Sequence, residues 1–180
     1  MSGWNKSKKI LIKEFNFKNK KVLDIGCGNG WFAFWAEDNG CQVDAMDPSA
    51  NQIKEAKCKD KKNKINFLLA GAENINDLKK TYDLIFFFNS LHHIPSNIME
   101  KSIKHSANKL NSNGRIIIIE PIAEGSFHNF VKNIDDETQV RDLAYKAIKN
   151  CESYNLENNS ELLYNEIKAF SNGEECIDFL

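Results

Sequence analysis

The 180-residue sequence lacks most of the features that would assign it to a specialised class. Its five cysteines, Cys27, Cys41, Cys58, Cys151 and Cys176, are scattered, and none stands in a C-x-x-C pair. An odd, unpatterned set excludes a disulfide framework and points to reduced thiols in a cytoplasmic protein. No metal site is expected from it. No apolar run approaches the ~20 residues that cross a bilayer, so no membrane partner is expected. The first residues are polar and lysine-rich, which argues against a secretory leader. There is no internal repeat and no low-complexity linker. Charge of one sign is missing too: 24 Lys and Arg against 25 Asp and Glu leave a net charge of −1. With no basic stripe interleaved with aromatics, no nucleic-acid partner is expected. The one local excess is N-terminal, with Lys6, Lys8, Lys9, Lys13, Lys18, Lys20 and Lys21. It reads as the solvated face of a short helix.

What is present is an alternation of short apolar runs and amphipathic segments, with 42% hydrophobic residues, enough for one domain with a real core. Residues 21–24, "CQVDAMD", "INFLLA", "TYDLIFFF" and "RIIIIE" read as strands. Trp31–Asn39, a segment opened by Pro48 and Ser49, and one running from Pro95 to about Leu110 read as helices. Strands apolar on both faces, alternating with helices, imply an α/β doubly wound parallel sheet. The domain divides into an N-terminal helix (1–20), a core (21–121) and a C-terminal helical segment (122–180). In that last segment "ETQVRDLAYKAI" and "SELLYNEIKAF" carry helical apolar faces, and "CIDFL" offers one short strand.

The most informative stretch is "KVLDIGCGNGW". The first strand ends on Asp24, and Gly26, Gly28 and Gly30 follow at every second position. In open parallel sheets a ligand lies beyond the carboxyl ends of the strands, so this loop faces it. A dinucleotide loop would read G-x-G-x-x-G, but Trp31 stands where its third glycine belongs. A carboxylate beside a pyrophosphate is repelled by roughly 1–4 kcal/mol at 4 Å. The same carboxylate suits a ligand whose near end carries an ammonium and a sulfonium, which is S-adenosylmethionine.

"VLDIGCGNG" resembles the first motif of the class I S-adenosylmethionine-dependent methyltransferases, and four further landmarks follow in order up to Pro121. The resemblance implies a Rossmann-like sheet with S-adenosylmethionine as cofactor, held by Asp24, Gly26, Cys27 and Gly28. Asp47 and Pro48 match the position that binds the ribose hydroxyls. Ala72 and Glu73 of "LLAGAENI" match the adenine segment, although Gly71 stands where the family often has an acid. Asn89 and Ser90 match the methionine end. "LNSNGRIIIIEP" is similar to the fifth-strand motif. The antiparallel strand pair that normally follows it is expected to be reduced or missing. That would leave the fifth strand as an apolar edge, covered by the C-terminal helices or by a second copy in a homo-oligomer.

The implied activity is methyl transfer, a direct displacement in which the protein aligns the partners and excludes water. His92 and His93, just past the fourth strand, are the candidate general bases. Glu120 and His128 are weaker candidates for acceptor contacts. The Asn-Pro-Pro-aromatic motif of DNA amino-methylating enzymes and the Pro-Cys of cytosine C5 enzymes are both absent, so a small-molecule acceptor is expected. Two alternatives compete: a protein that binds S-adenosylmethionine without a complete acceptor site, and an NAD-dependent oxidoreductase, which Trp31 and Asp24 oppose.

Overall fold

The computed structural model describes residues 4–157 and 160–167. Five parallel strands form one sheet: β1 (Lys21–Ile25), β2 (Gln42–Asp47), β3 (Asn66–Leu69), β4 (Tyr82–Phe88) and β5 (Leu110–Ile119), in the order β3-β2-β1-β4-β5. The order reverses between β1 and β4, so a crevice opens at their carboxyl ends. The helices are α1 (Asn5–Glu14), α2 (Trp31–Asp38), α3 (Ala50–Lys59), α4 (Ser96–Ala107), α5 (Gly125–Val131) and α6 (Thr138–Lys149). Short 3-10 turns occupy Ala72–Asp77, Leu91–His93 and Cys151–Tyr154.

Alternation along the strands builds two cores. Val22, Val43, Ala45, Leu84 and Phe86 face α1, α2 and α3. Leu23, Ile25, Met46, Ile85 and Phe87 face α4 and α6. Phe32, Phe86 and Phe87 are fully buried, each contributing about 1.5–3 kcal/mol through burial. The aromatics of α2 are thus core: Phe32 packs 4.5 Å from Phe86 and Trp35 5.1 Å from Phe17. Trp31 is the exception, because it reaches the crevice.

Three expectations change. The fifth strand begins at Leu110 rather than after the "SNG" turn. Residues 112–114 form a bulge: β4 advances from Tyr82 to Leu84 while β5 advances from Leu110 to Arg115. Asn113 takes a left-handed φ of 64° there. Second, residues 160–167 form no helix, and Leu163 and Ile167 are exposed. The segment instead serves α1 through Glu166. Its carboxylate accepts the backbone N–H of Lys6 (3.0 Å) and Ser7 (2.9 Å) and the Ser7 hydroxyl (2.7 Å). It supplies the cap that Trp4, the residue at the N-cap position, does not. Phe170 and "CIDFL" lie outside the described residues. Third, helices cover the faces of β5 rather than its edge, and of the C-terminal ones α6 lies on one face only. Ile116 and Ile118 pack toward the α4 and α6 side, Ile117 and Ile119 toward α1 and α2. Among the described residues no strand pairs with the outer side of β5.

Candidate active site

The loop after β1 is bent by the backbone, not by side chains. Gly26, Gly28 and Gly30 all take positive φ (72°, 53° and 85°), a region open to glycine. The N–H groups of Gly26 and Cys27 both donate to the Met46 carbonyl, at 2.8 and 3.0 Å, which ties the loop to β2. Asp47 ends β2 and accepts the N–H of Gly28 at 2.9 Å and of Ser49 at 2.8 Å. It therefore fixes the glycine loop and the start of α3 together. On the other side Ser90 donates its hydroxyl to the Ile25 carbonyl at 2.6 Å. A methyl group on Gly26 would stand 2.6 Å from the Ser90 β-carbon, so only glycine fits.

These elements enclose a cavity of about 660 Å³ at the carboxyl ends of β1, β2 and β4. Gly26, Cys27, Gly28, Asp47, Pro48, Ala72, Glu73, Asn89, Ser90 and His93 all line it, and so do Trp4 and Trp31. Two expected residues do not. Asp24 lies behind the lining, 1% exposed, and its Oδ2 has no hydrogen-bond partner among the described residues. Burial, reinforced by the charge of Asp47, pushes its pKa up to about 8. Burial likewise pushes the Cys27 thiol up, so it stays protonated and is no nucleophile.

His92 is turned into the protein, because Glu120 claims it. Glu120 follows β5, and its carboxylate accepts the N–H of Ser90 (3.0 Å) and Leu91 (2.7 Å) and pairs with His92 Nδ1. Glu120 is thus a clamp on the loop after β4 rather than an acceptor contact. His128 is buried between Thr138 and Arg141, 3.4 Å from each, outside the cavity lining. His93 remains as the histidine that faces the cavity. Burial, then the neighbouring His92, holds its pKa below the usual histidine range.

Sequence reasoning missed Trp4 as a lining residue. It stacks on Trp31 with ring centres 5.9 Å apart and meets Phe88 edge-on at 5.1 Å. Lys8, one turn further along α1, places Nζ 5.4 Å over the Trp31 ring. It also missed Glu137, which ion-pairs with Arg141 at 2.5 Å and faces both histidines. Neither belongs to a motif, and only the fold brings Trp4 to the crevice and Glu137 to the two histidines.

The sheet order, the glycine loop and the cavity define a Rossmann-like domain of the S-adenosylmethionine-dependent methyltransferase class. The chain belongs to the family described as a methyltransferase domain, which it matches over residues 6–163. It is 34% identical over 151 residues to a tRNA U34 carboxymethyltransferase of Nautilia profundicola, covering 82% of this chain and 45% of that protein. It is 35% identical over 120 residues to a ubiquinone biosynthesis O-methyltransferase of Pelagibacter ubique, covering 62% and 49%. A Listeria monocytogenes crystal structure, described as an S-adenosylmethionine-dependent methyltransferase, aligns with a TM-score of 0.54 and 29% identity, over 64% of this chain and 52% of that one. The chain thus spans about half the length of the relatives it matches.

These relatives correct one expectation. Several of them are named for tRNA, which overturns the reading of a small-molecule acceptor with no nucleic acid. That reading rested on a net charge near zero, on the lack of a basic stripe interleaved with aromatics and on the absent DNA-enzyme motifs, and it took the N-terminal lysines as a solvated helix face. Lys6, Lys8, Lys9 and Lys13 share α1, the helix that begins beside the cavity-lining Trp4.

No helix among the described residues is long and apolar enough to cross a membrane.

Proposed function

We propose that this chain transfers a methyl group from S-adenosylmethionine to a nucleoside acceptor carried on RNA. The observation that carries the cofactor half is the buried, unpartnered Asp24 carboxylate directly behind a glycine loop shaped for close backbone approach. The methionine end takes the space between Gly26, Gly28 and Ser90, with its ammonium toward Asp24. The ribose hydroxyls reach Asp47. Adenine lies by Ala72. Glu73 takes the place of the acid missing at position 71, since its carboxylate oxygens lie 2.4 and 2.5 Å from where a β-carbon on Gly71 would be. The acceptor half draws on the tRNA named in the relatives and on the Trp4–Trp31 stack flanked by lysines. Aromatic faces stack on unpaired bases, and lysines meet the phosphates. His93 lines the cavity and is the histidine placed to meet the acceptor. The free cysteines Cys27, Cys41, Cys58 and Cys151 fit a cytoplasmic setting.

The relatives named for tRNA are carboxymethyltransferases, and the family's description, a methyltransferase domain, supports methyl as the group transferred here. Incubation of the purified chain with methyl-labelled S-adenosylmethionine and total tRNA should label the tRNA. Calorimetric binding of the cofactor without label transfer to tRNA would remove the acceptor half and leave the cofactor half standing.

The ribose contact has its own check. Asp47→Ala should weaken cofactor binding by roughly 1–3 kcal/mol, the scale of a lost charged hydrogen-bond partner. The glycine loop also loses its tie at Gly28, so Asp47→Asn, which keeps one acceptor oxygen, should fall between. Unchanged affinity in both variants would remove the assignment.

A further inference from the structure

Beside the cavity, three side chains that can each offer an electron pair converge. His92 Nε2 lies 3.7 Å from Glu137 Oε1, and His93 Nδ1 lies 3.9 Å from the same oxygen. The three ligand atoms all fall within 4.8 Å of one another. Both histidine contacts are too long for hydrogen bonds. Two ligands held about 2.0–2.2 Å from a shared tetrahedral ion stand about 3.3–3.6 Å apart, so the exposed His93 ring would close by a few tenths of an ångström or more to seat one. The surroundings fit such an ion. Glu120 engages Nδ1 of His92, which fixes the ring and turns Nε2 toward the gap. A carboxylate behind a metal-binding histidine is the usual supporting arrangement. Arg141 holds the other Glu137 oxygen, Oε2, at 2.5 Å and leaves Oε1 to the histidines. His92 is buried, whereas the His93 side chain is 62% exposed, so the open positions of the ion would face the cavity.

We propose that His92, His93 and Glu137 form a binding site for one divalent transition-metal ion of the zinc type. Two imidazoles and one carboxylate suit that class better than magnesium or calcium, which prefer all-oxygen shells. The site opens onto the cavity through His93, and the inference rests on the methyl-transfer reading and deepens it. The ion coordinates an acceptor oxygen and lowers its pKa. His93 is then a ligand, and the polarised acceptor loses its proton to water instead.

The test uses the full chain, stripped of metal with a chelator and titrated with Co²⁺. The expected result is one saturable equivalent per chain with a visible d–d absorption band, displaced by Zn²⁺. His93→Ala, which alters an exposed side chain, should abolish the band with the thermal midpoint within a few degrees of wild type. Glu137→Gln should weaken binding at least tenfold, and Cys58→Ser should leave it intact. No saturable band, or a band that survives His93→Ala, overturns the proposal and leaves a bare histidine–carboxylate cluster. Cofactor binding measured on the same metal-free sample keeps the two readings apart: cofactor without cobalt defeats only this one.

Discussion

Gly26→Ala is expected to abolish measurable S-adenosylmethionine binding while leaving a folded but weakened protein. Two independent effects act at this position. Its φ of +72° costs an L-residue about 1–2 kcal/mol. The added methyl would also stand 2.6 Å from the Ser90 β-carbon, and neither partner has a side-chain rotation that relieves a contact between β-carbons. Either the loop after β1 or the loop after β4 must retreat. Both line the cavity, and the Ser90 hydroxyl is bound to the Ile25 carbonyl at 2.6 Å. Overpacking of this kind costs about 1–3 kcal/mol. The thermal midpoint should fall by roughly 5–15 °C for a chain of this size. Calorimetry with S-adenosylhomocysteine reads the binding loss, and scanning calorimetry reads the stability. Gly26→Ala/Ser90→Gly removes the collision but not the backbone strain, so it should recover part of the stability. Wild-type affinity in Gly26→Ala would mean that the cofactor does not lie against this loop.

Much of this was legible because β-strand alternation and loop glycines are local signals. The five strands, α2 to α4 and α6 follow from apolar patterns spanning a few residues, and the resemblance carried the cavity residues from Gly26 to Ser90. What sequence could not show depends on distance in space. Asp24 was read as facing the ligand, yet its alternation in β1 points it behind the loop, beside Ala45 and Phe86 in register. His92 and His93 are adjacent in sequence, but Glu120, 28 residues on from His92, decides that only His93 reaches the cavity. Residues 160–167 show helical periodicity, but Glu166 and Tyr164 bond to Ser7 across more than 150 residues instead. Tertiary contacts won there over a weak local preference.

The position of Asp24 behind the lining makes its charge state measurable. In the folded protein without ligand its pKa is pushed up to about 8, from an ordinary value of 3.8. Between those values the folded chain holds a proton that the unfolded chain has released. Its contribution to stability must therefore fall as pH rises from about 4 to about 8, and level off above. Asp24→Asn removes this slope, and the unliganded variant should melt higher than wild type at pH 8–9. Binding runs the other way. A ligand bringing an ammonium and a sulfonium favours the carboxylate, so cofactor binding at pH 7 should expel close to one proton. Calorimetric titrations in phosphate and in Tris, whose ionisation enthalpies differ, would then give different heats at pH 7. Asp24→Asn should lose the buffer dependence and bind at least tenfold more weakly, because a neutral amide gives the ammonium no counter-charge. Equal heats in both buffers at pH 7, together with full affinity in the asparagine variant, would show that the cation rests elsewhere and that the buried acid belongs to the fold alone.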